Sequence, residues 1–223
     1  MTLIRLSGIK KSFSDGNDRR NEVLRGVDMD VAAGEFVAVR GASGSGKTTL
    51  LAILGTLLAP DSGVYLLDGK EIVAAGADLP AIRNRKIGFV FQDHRLLPQY
   101  TALENILLPA LANSAQASSE QVEYAEKLME LTNIGRVANR YPPTLSGGES
   151  SRAAVCRALI MKPLLLLADE PTGQLDAENA RGIAALLAEI NKTLNTTIIM
   201  VTHSEETSSA AHRILNLTNG LLK

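Results

Sequence analysis

The chain has 223 residues, 45% of them apolar and 21% charged, which excludes a disordered segment and leaves room for a substantial α/β core. Its formal net charge of −1 offers no basic footprint for nucleic acid or an anionic membrane surface. The single cysteine, Cys156, excludes an internal disulfide and suits a reducing compartment, and the longest apolar runs, Leu164–Ala168 and Ile106–Ala112, fall far short of the ~20 residues a bilayer span needs.

Met1 to Phe13 alternates apolar with polar residues and lacks the apolar heart of a secretory signal. Leu3–Ile9 and Glu22–Val31 predict strands of an antiparallel edge sheet, joined by the polar loop Ser14–Asn21 with its tip at Asp15-Gly16-Asn17. Phe13 falls just after the first strand, where a lone aromatic reads as a packing residue before it reads as a stacking platform. Ala33-Gly34-Glu35 turns into a short β-branched run, Phe36–Val39. Gly41-Ala42-Ser43-Gly44-Ser45-Gly46-Lys47-Thr48 then matches G-x-x-x-x-G-K-[ST], and Thr49–Leu54 reads as the first turns of a helix. Glycines let successive backbone N–H groups converge on phosphate oxygens, and the helix N-terminus adds partial positive charge. Lys47 can reach the terminal phosphates, and the Thr48 hydroxyl can ligate Mg²⁺. A strand before and a helix after make this stretch a nucleoside triphosphate site.

Asp61-Ser62-Gly63 is a turn before the strand Val64–Leu67, and Asp68-Gly69 predicts a hairpin. Lys86–Phe91 predicts the next strand, ended by Gln92. A polar residue there can simply begin a loop, but strand C-terminal ends are where ligands sit in an α/β sheet. The period then changes from two to 3.6. Thr101 with Glu104 forms a capping box, Leu103, Ile106, Leu107, Ala110 and Leu111 predict one inward helix face, and Pro109 predicts a kink or an early end. Ser118 with Gln121 caps a further helix through Val122, Leu128 and Leu131, so residues 93–160 read as a helical insertion between strands. Leu145-Ser146-Gly147-Gly148-Glu149 opens the last helix of the insertion. Ser146 and Glu149 make a capping box, while two glycines in a first turn suit an anion contact better than a helix start alone. Ala153–Met161 is apolar almost all round, which makes Cys156 a buried structural thiol.

Leu164–Ala168 predicts a parallel strand covered on both faces, delivering Asp169 to its C-terminal edge, where a carboxylate can help hold Mg²⁺. Glu170, one residue on, can point at an attacking water. Gly173-Gln174-Leu175-Asp176 is a loop, followed by an amphipathic helix over Ala180–Leu194. Thr197–Val201 is another β-branched run, ended by Thr202 and His203, and Asn219-Gly220 makes the last turn.

Gly41–Thr48, Gln92, Leu145–Glu149, Leu164–Glu170, Asp176 and His203, in this order and spacing, resemble the ATPase subunits of ABC transporters, and the resemblance spans essentially the whole chain. Within that family Gly88–Gln92 and Thr101–Asn105 are similar to the branch serving lipoprotein release and macrolide or peptide export. The resemblance implies an α/β fold with a RecA-like P-loop NTPase core, an antiparallel β edge subdomain and an inserted α-helical subdomain. Residues 1–92 and 161–223 would form the core with the β subdomain, and residues 93–160 the helical subdomain. It implies ATP as substrate and Mg²⁺ as cofactor, the metal held by Thr48, Gln92 and Asp169. It further implies two copies closing head to tail, one supplying Gly41–Thr49, Gln92, Asp169, Glu170 and His203, the other Ser146, Gly147 and Gly148. Lys47, Gln92, Glu170 and His203 would be catalytic, Asp176 would join the nucleotide contacts, and Phe13 occupies the adenine-stacking position. Ser150-Ser151, Gln174 and Ser204 depart from the residues common at those places, and none of the departures removes a catalytic group.

The implied partners are a second copy and integral membrane subunits, with the chain peripheral on the cytoplasmic face of the cell (inner) membrane. Leu96, Leu97, Tyr100, Leu108 and Pro109 are apolar residues beyond what one helix face buries, and they predict a groove for a short cytoplasmic helix of a membrane subunit. An ABC ATPase that regulates a membrane partner without transport is the alternative. One that acts on DNA or ribosomes is disfavoured by the single cassette, the compact insertion and the net charge of −1.

Overall fold

A computed structural model describes residues 1–14, 20–72 and 77–223 (of Asn113, the backbone only), and in it the alternating stretches near the start pair as long antiparallel strands, β1 (Thr2–Ser14) and β2 (Arg20–Ala32). Both outrun the apolar alternation, because a backbone ladder continues through residues that need no buried face. Phe13 therefore lies inside β1, opposite Asn21, while the expected tip Asp15-Gly16-Asn17 lies outside the described residues. β3 (Phe36–Arg40) leads through the glycine-rich loop to α1 (Lys47–Leu54). β4 (Ser62–Leu67) and β5 (Lys70–Glu71) form the expected hairpin, with Asp68 and Gly69 at φ 55° and 71°, as a tight two-residue turn requires.

α2 (Leu79–Lys86) has no counterpart among the expected elements, because none of its residues is buried and no 3.6 pattern marks it. It takes Lys86 from the expected strand, leaving β6 as Ile87–Val90. α3 (Ala102–Leu107) starts on the Thr101–Glu104 capping box and stops two residues before Pro109, passing into a 3₁₀ stretch over Leu108–Asn113. The expected inward stripe is corrected there. Ala102, Asn105, Ile106 and Ala110 are buried, Leu103 and Leu107 are half-buried, and the tighter 3₁₀ winding turns Leu111 out to solvent.

α4 (Ser119–Leu131) and α5 (Gly147–Leu159) both begin on complete capping boxes. β7 (Leu165–Asp169), α6 (Ala177–Leu194), β8 (Thr197–Thr202), α7 (Glu205–Ser208), β9 (Arg213–Thr218) and β10 (Leu221–Leu222) complete the chain. Among the described residues no helix is long and apolar enough to cross a membrane.

The strands form two sheets, β2-β1-β4-β5, which is antiparallel, and β10-β9-β3-β8-β7-β6, in which all but β10 run parallel. β8 lies between β3 and β7, with Val201 level with both Val39 and Asp169. β3, β7 and β8 bury both faces. Phe36, Leu166 and Met200 pack with α3 to α6, whereas Val37, Leu165 and Ile199 pack towards α1 and the antiparallel sheet. The loop after β3 and the end of β7 therefore open on the same edge of the sheet, one strand apart. The closing hairpin, turned at Asn219-Gly220, is tied to β2 by the Arg25 N–H donating to the Gly220 carbonyl at 2.8 Å.

Candidate active site

Gly46 is the N-cap of α1 at φ 103°, a left-handed conformation with no side-chain cap. A Cβ there would come within 3.0 Å of Val23 Cγ1 and 3.1 Å of Leu24 Cδ2, so the loop can close against β2 only on a glycine. The first amides of α1 are left to a ligand, with no acidic residue in the first turn to neutralise them. Lys47 folds back and its Nζ donates to the carbonyls of Gly41 at 2.8 Å and Ala42 at 3.0 Å. Ser45 Oγ is buried without a partner. Open amides, a converging ammonium and an unpaired hydroxyl fit a polyphosphate.

This loop walls a cleft of about 660 Å³ lined by Ser43, Gly44, Gly46–Thr49, Gln92, Glu170 and His203, together with Val23. Val23 was missed by sequence reasoning, since one half-buried valine on an edge strand carries no signal beyond sheet packing. Asp169 stands at the end of β7, with the Thr48 side chain beside its carboxylate. Burial first, then the charge of Glu170, pushes its pKa up, with Lys47 and Thr48 opposing. A divalent cation beside Thr48 and Asp169 would relieve that crowding. Among the described residues no group of three or more His, Cys, Asp or Glu could hold a metal by itself. The donor set thus fits Mg²⁺ shared with phosphate oxygens.

Glu170 sits at φ 44°, a strained conformation for a non-glycine residue, and its side chain is only 15% exposed. One carboxylate oxygen lies 4.0 Å from Lys47 Nζ. The other accepts the His203 backbone N–H at 3.3 Å and lies 2.9 Å from His203 Nδ1. His203 projects into solvent from the loop just beyond β8. Gln92 follows β6 by two residues, close enough to the loop after β7 that a Cβ on Gly173 would come within 3.0 Å of its Nε2.

The remaining expected residues stand outside this cleft. Phe13 is exposed, with Lys11 Nζ 5.7 Å from its ring centre. Asp176 caps α6, accepting the Asn179 N–H at 2.9 Å and its Nδ2 at 2.7 Å, bonds that pull its pKa down. Ser146 caps α5. Its Oγ accepts the Glu149 N–H at 3.2 Å, and Glu149 Oε2 accepts the Ser146 N–H at 2.9 Å. Ser146 and Gly147 are exposed, and Gly148 is buried where a Cβ would lie 2.8 Å from Asn179 Oδ1.

Residues 24–173 match the family model described as ABC transporter. The chain belongs to the ABC transporter family. It is 42% identical to the lipoprotein-releasing system ATP-binding protein LolD of Myxococcus xanthus, over 99% of this chain and 98% of that one. The LolD of Aquifex aeolicus is 44% identical, over 98% and 95% of the two chains. The macrolide export ATP-binding/permease protein MacB of Rhodopirellula baltica is 42% identical over 99% of this chain but 32% of its own length. Among solved structures, the dimeric structure of MJ0796, a bacterial ABC transporter cassette, superposes with a TM-score of 0.88 at 36% identity, covering 99% and 97% of the two chains. A second MJ0796 structure, dimeric in a post-hydrolysis state bound to ADP and Pi, has the same TM-score at 35% identity. The ABC cassette described here is thus an ATPase of the LolD/MacB type, with the P-loop α/β fold that its motifs imply.

Proposed function

We propose that this cassette is the motor of an export system of the lipoprotein-release type, working at the cytoplasmic face of the cell (inner) membrane on separate membrane subunits. Its LolD and MacB relatives carry names of transport systems, which supports transport over regulation without transport. The observation that carries the mechanism is Glu170, held between Lys47 and His203 at the mouth of the P-loop cleft.

In this reading the backbone of Gly41–Thr49 and the Lys47 ammonium bind the phosphates, and Phe13 stacks on adenine. Glu170 accepts a hydrogen bond from the attacking water and aims it at the γ-phosphate. His203 fixes the Glu170 carboxylate through Nδ1 and contacts the γ-phosphate. Gln92 reports the γ-phosphate to the helices that follow it. Thr48, Asp169 and Gln92 would hold Mg²⁺, which would supply charge neutralisation for the phosphates. A second copy contributes Ser146, Gly147 and Gly148 to each site, with Asp176 beside them. None of these residues lines the cleft of its own chain, and that, with the dimeric form of MJ0796, supports the sharing.

The membrane subunit docks in a cleft of about 460 Å³ lined by Phe89, Phe91, Arg95, Pro109 and Met161 among others. Of the expected groove residues only Pro109 lines it, while Leu97 and Tyr100 lie exposed outside it. The test of the catalytic reading is Glu170→Gln. We expect nucleotide binding to persist, hydrolysis to fall at least ~100-fold, and an ATP-bound dimer to accumulate on a sizing column. Wild-type turnover by that variant would overturn the role of Glu170.

A further inference from the structure

Between β6 and α3 the chain follows no regular element over residues 91–101, yet side chains from two helices hold its backbone from His94 to Thr101. His94 and Arg95 adopt left-handed conformations in succession, at φ 57° and 49°, and neither is glycine. The Arg95 N–H bonds back across His94 to the Asp93 carbonyl at 2.6 Å, a tight three-residue turn that strains its central residue. Such conformations persist only where the surroundings over-determine them.

Within the turn the Arg95 side chain lies 4.1 Å over the Phe91 ring and bonds Asp93 at 3.2 Å, and the grip from outside it is one guanidinium. Arg157, half-buried on α5, donates from Nη1 to the Arg95 carbonyl at 2.5 Å and from Nη2 to the His94 carbonyl at 2.6 Å. Among the described residues it makes no salt bridge, so a desolvated charge is spent on two backbone carbonyls, and burial pushes its pKa down. Downstream, the buried amide of Asn105 on α3 takes the Leu97 N–H on Oδ1 at 2.7 Å, while Nδ2 serves the carbonyls of Leu97, Tyr100 and Thr101. The segment from His94 to Thr101 is therefore fastened to α5 and α3. Between β6 and that segment, Phe91, Gln92 and Asp93 receive no hydrogen bond from either helix.

We propose that Arg157 is a positioning residue for hydrolysis: its fork holds the turn that aims Gln92 at the γ-phosphate and fastens that aim to α5, the helix that begins at Ser146. The inference rests on the role given above to Gln92. Arg157 lies eleven positions after Ser146 along α5, a rise of about 17 Å, so a shift at either end of this rigid rod is delivered to the other. Lysine cannot replace the fork, because an ammonium is a point donor without the fixed spacing that meets two adjacent carbonyls.

The test is a double-mutant cycle on ATP hydrolysis by the full chain, with Gln92→Ala, Arg157→Met and the double variant. Arg157→Met should lower kcat about ten-fold and move KM for ATP less than about two-fold, with Arg157→Lys intermediate. In the Gln92→Ala background Arg157→Met should bring no further loss, because the group it aims is gone. Losses that multiply in the double variant would overturn the proposal, since a residue that only supports the fold acts independently of Gln92. So would an unchanged kcat in Arg157→Met. If Gln92→Ala by itself leaves kcat intact, the role of Gln92 falls and the proposal with it, whereas additivity with a damaged Gln92→Ala sinks the proposal alone. Should Arg157→Met fail to fold, Arg157→Lys carries the same cycle.

Discussion

The N-termini of α1 and α5 both begin on glycine-rich sequence, and they are built in opposite ways. α1 opens on Gly46 with no side-chain cap and no carboxylate in its first turn. α5 opens on Ser146 with both bonds of a capping box in place, and Glu149 sits in its first turn. The first helix leaves its amides and partial charge for a ligand. The second has already satisfied an amide with Ser146 and set a negative charge against its dipole. A cap of that kind makes α5 stable before any phosphate arrives, and only the Ser146 hydroxyl and the Gly147 backbone remain exposed to meet one. One terminus is an anion site by construction, while the other can add to a site that a different chain has mostly assembled.

The most damaging way to break this contrast is Gly46→Ala. The new Cβ would meet Val23 and Leu24 at a residue held at φ 103°, so nucleotide binding should be lost altogether, measured by titration with a fluorescent ATP analogue. Retained affinity would mean that the loop closes without the left-handed glycine. Ser146→Ala comes next. As a cap its loss should cost about 1 kcal/mol in urea unfolding, and as a trans contact it should stop hydrolysis while sparing ATP binding. Full turnover with the stability loss alone would reduce Ser146 to a helix start.

A smaller effect sharpens the same terminus through pH. The backbone bond from Ser146, ahead of the Arg136 contact, holds the Glu149 carboxyl below its ordinary 4.5. Its folded pKa is depressed, so the stability it contributes is present above 4.5 and is lost as pH falls through the folded value. Glu149→Gln should therefore be slightly less stable than wild type at neutral pH and indistinguishable from it at strongly acidic pH, by unfolding midpoints. The smallest effect at neutral pH concerns the buried side of α5. Burial pushes the Cys156 thiol up from 9.0 to about 12, so its contribution is complete below 9.0 and fades as pH rises towards 12. Cys156→Ala should flatten the alkaline limb of the stability curve, and in the native chain the thiol should resist alkylation until the chain unfolds.

What could be read in advance follows from how local each signal is. The glycine-rich loop, the capping boxes at Thr101, Ser118 and Ser146, and the turns at Asp68-Gly69 and Asn219-Gly220 are written in adjacent residues and appear as expected. β3, β7 and β8 announce themselves as apolar runs because both faces are buried. α2 was illegible because it buries nothing. Val23, Arg157 and Asn105 were illegible for the reverse reason. Each acts on residues far along the chain or through backbone atoms, and neither a valine on an edge strand nor an arginine on a helix advertises its distant partner. The cleft drew Gln92, Glu170 and His203 together with the loop, as their places at strand ends suggested. The companion residues Phe13, Ser146, Gly147, Gly148 and Asp176 lie outside it.

The position of β8 between β3 and β7 sets a gauge. Two ladder steps of about 4.8 Å put the main chains of β3 and β7, which lead into the phosphate loop and the carboxylates, about 10 Å apart, with His203 just beyond the intervening strand. That width is dictated by main-chain hydrogen bonds and not by the sizes of Ile198, Ile199, Met200 or Val201, all buried. Conservative exchanges among those residues should thus change how hot the protein must be before it fails, but not how well it works below that temperature. Warmed slowly, the cassette should keep its turnover on a smooth Arrhenius line and then lose activity and ellipticity at a single temperature, with no interval of sluggish but folded enzyme.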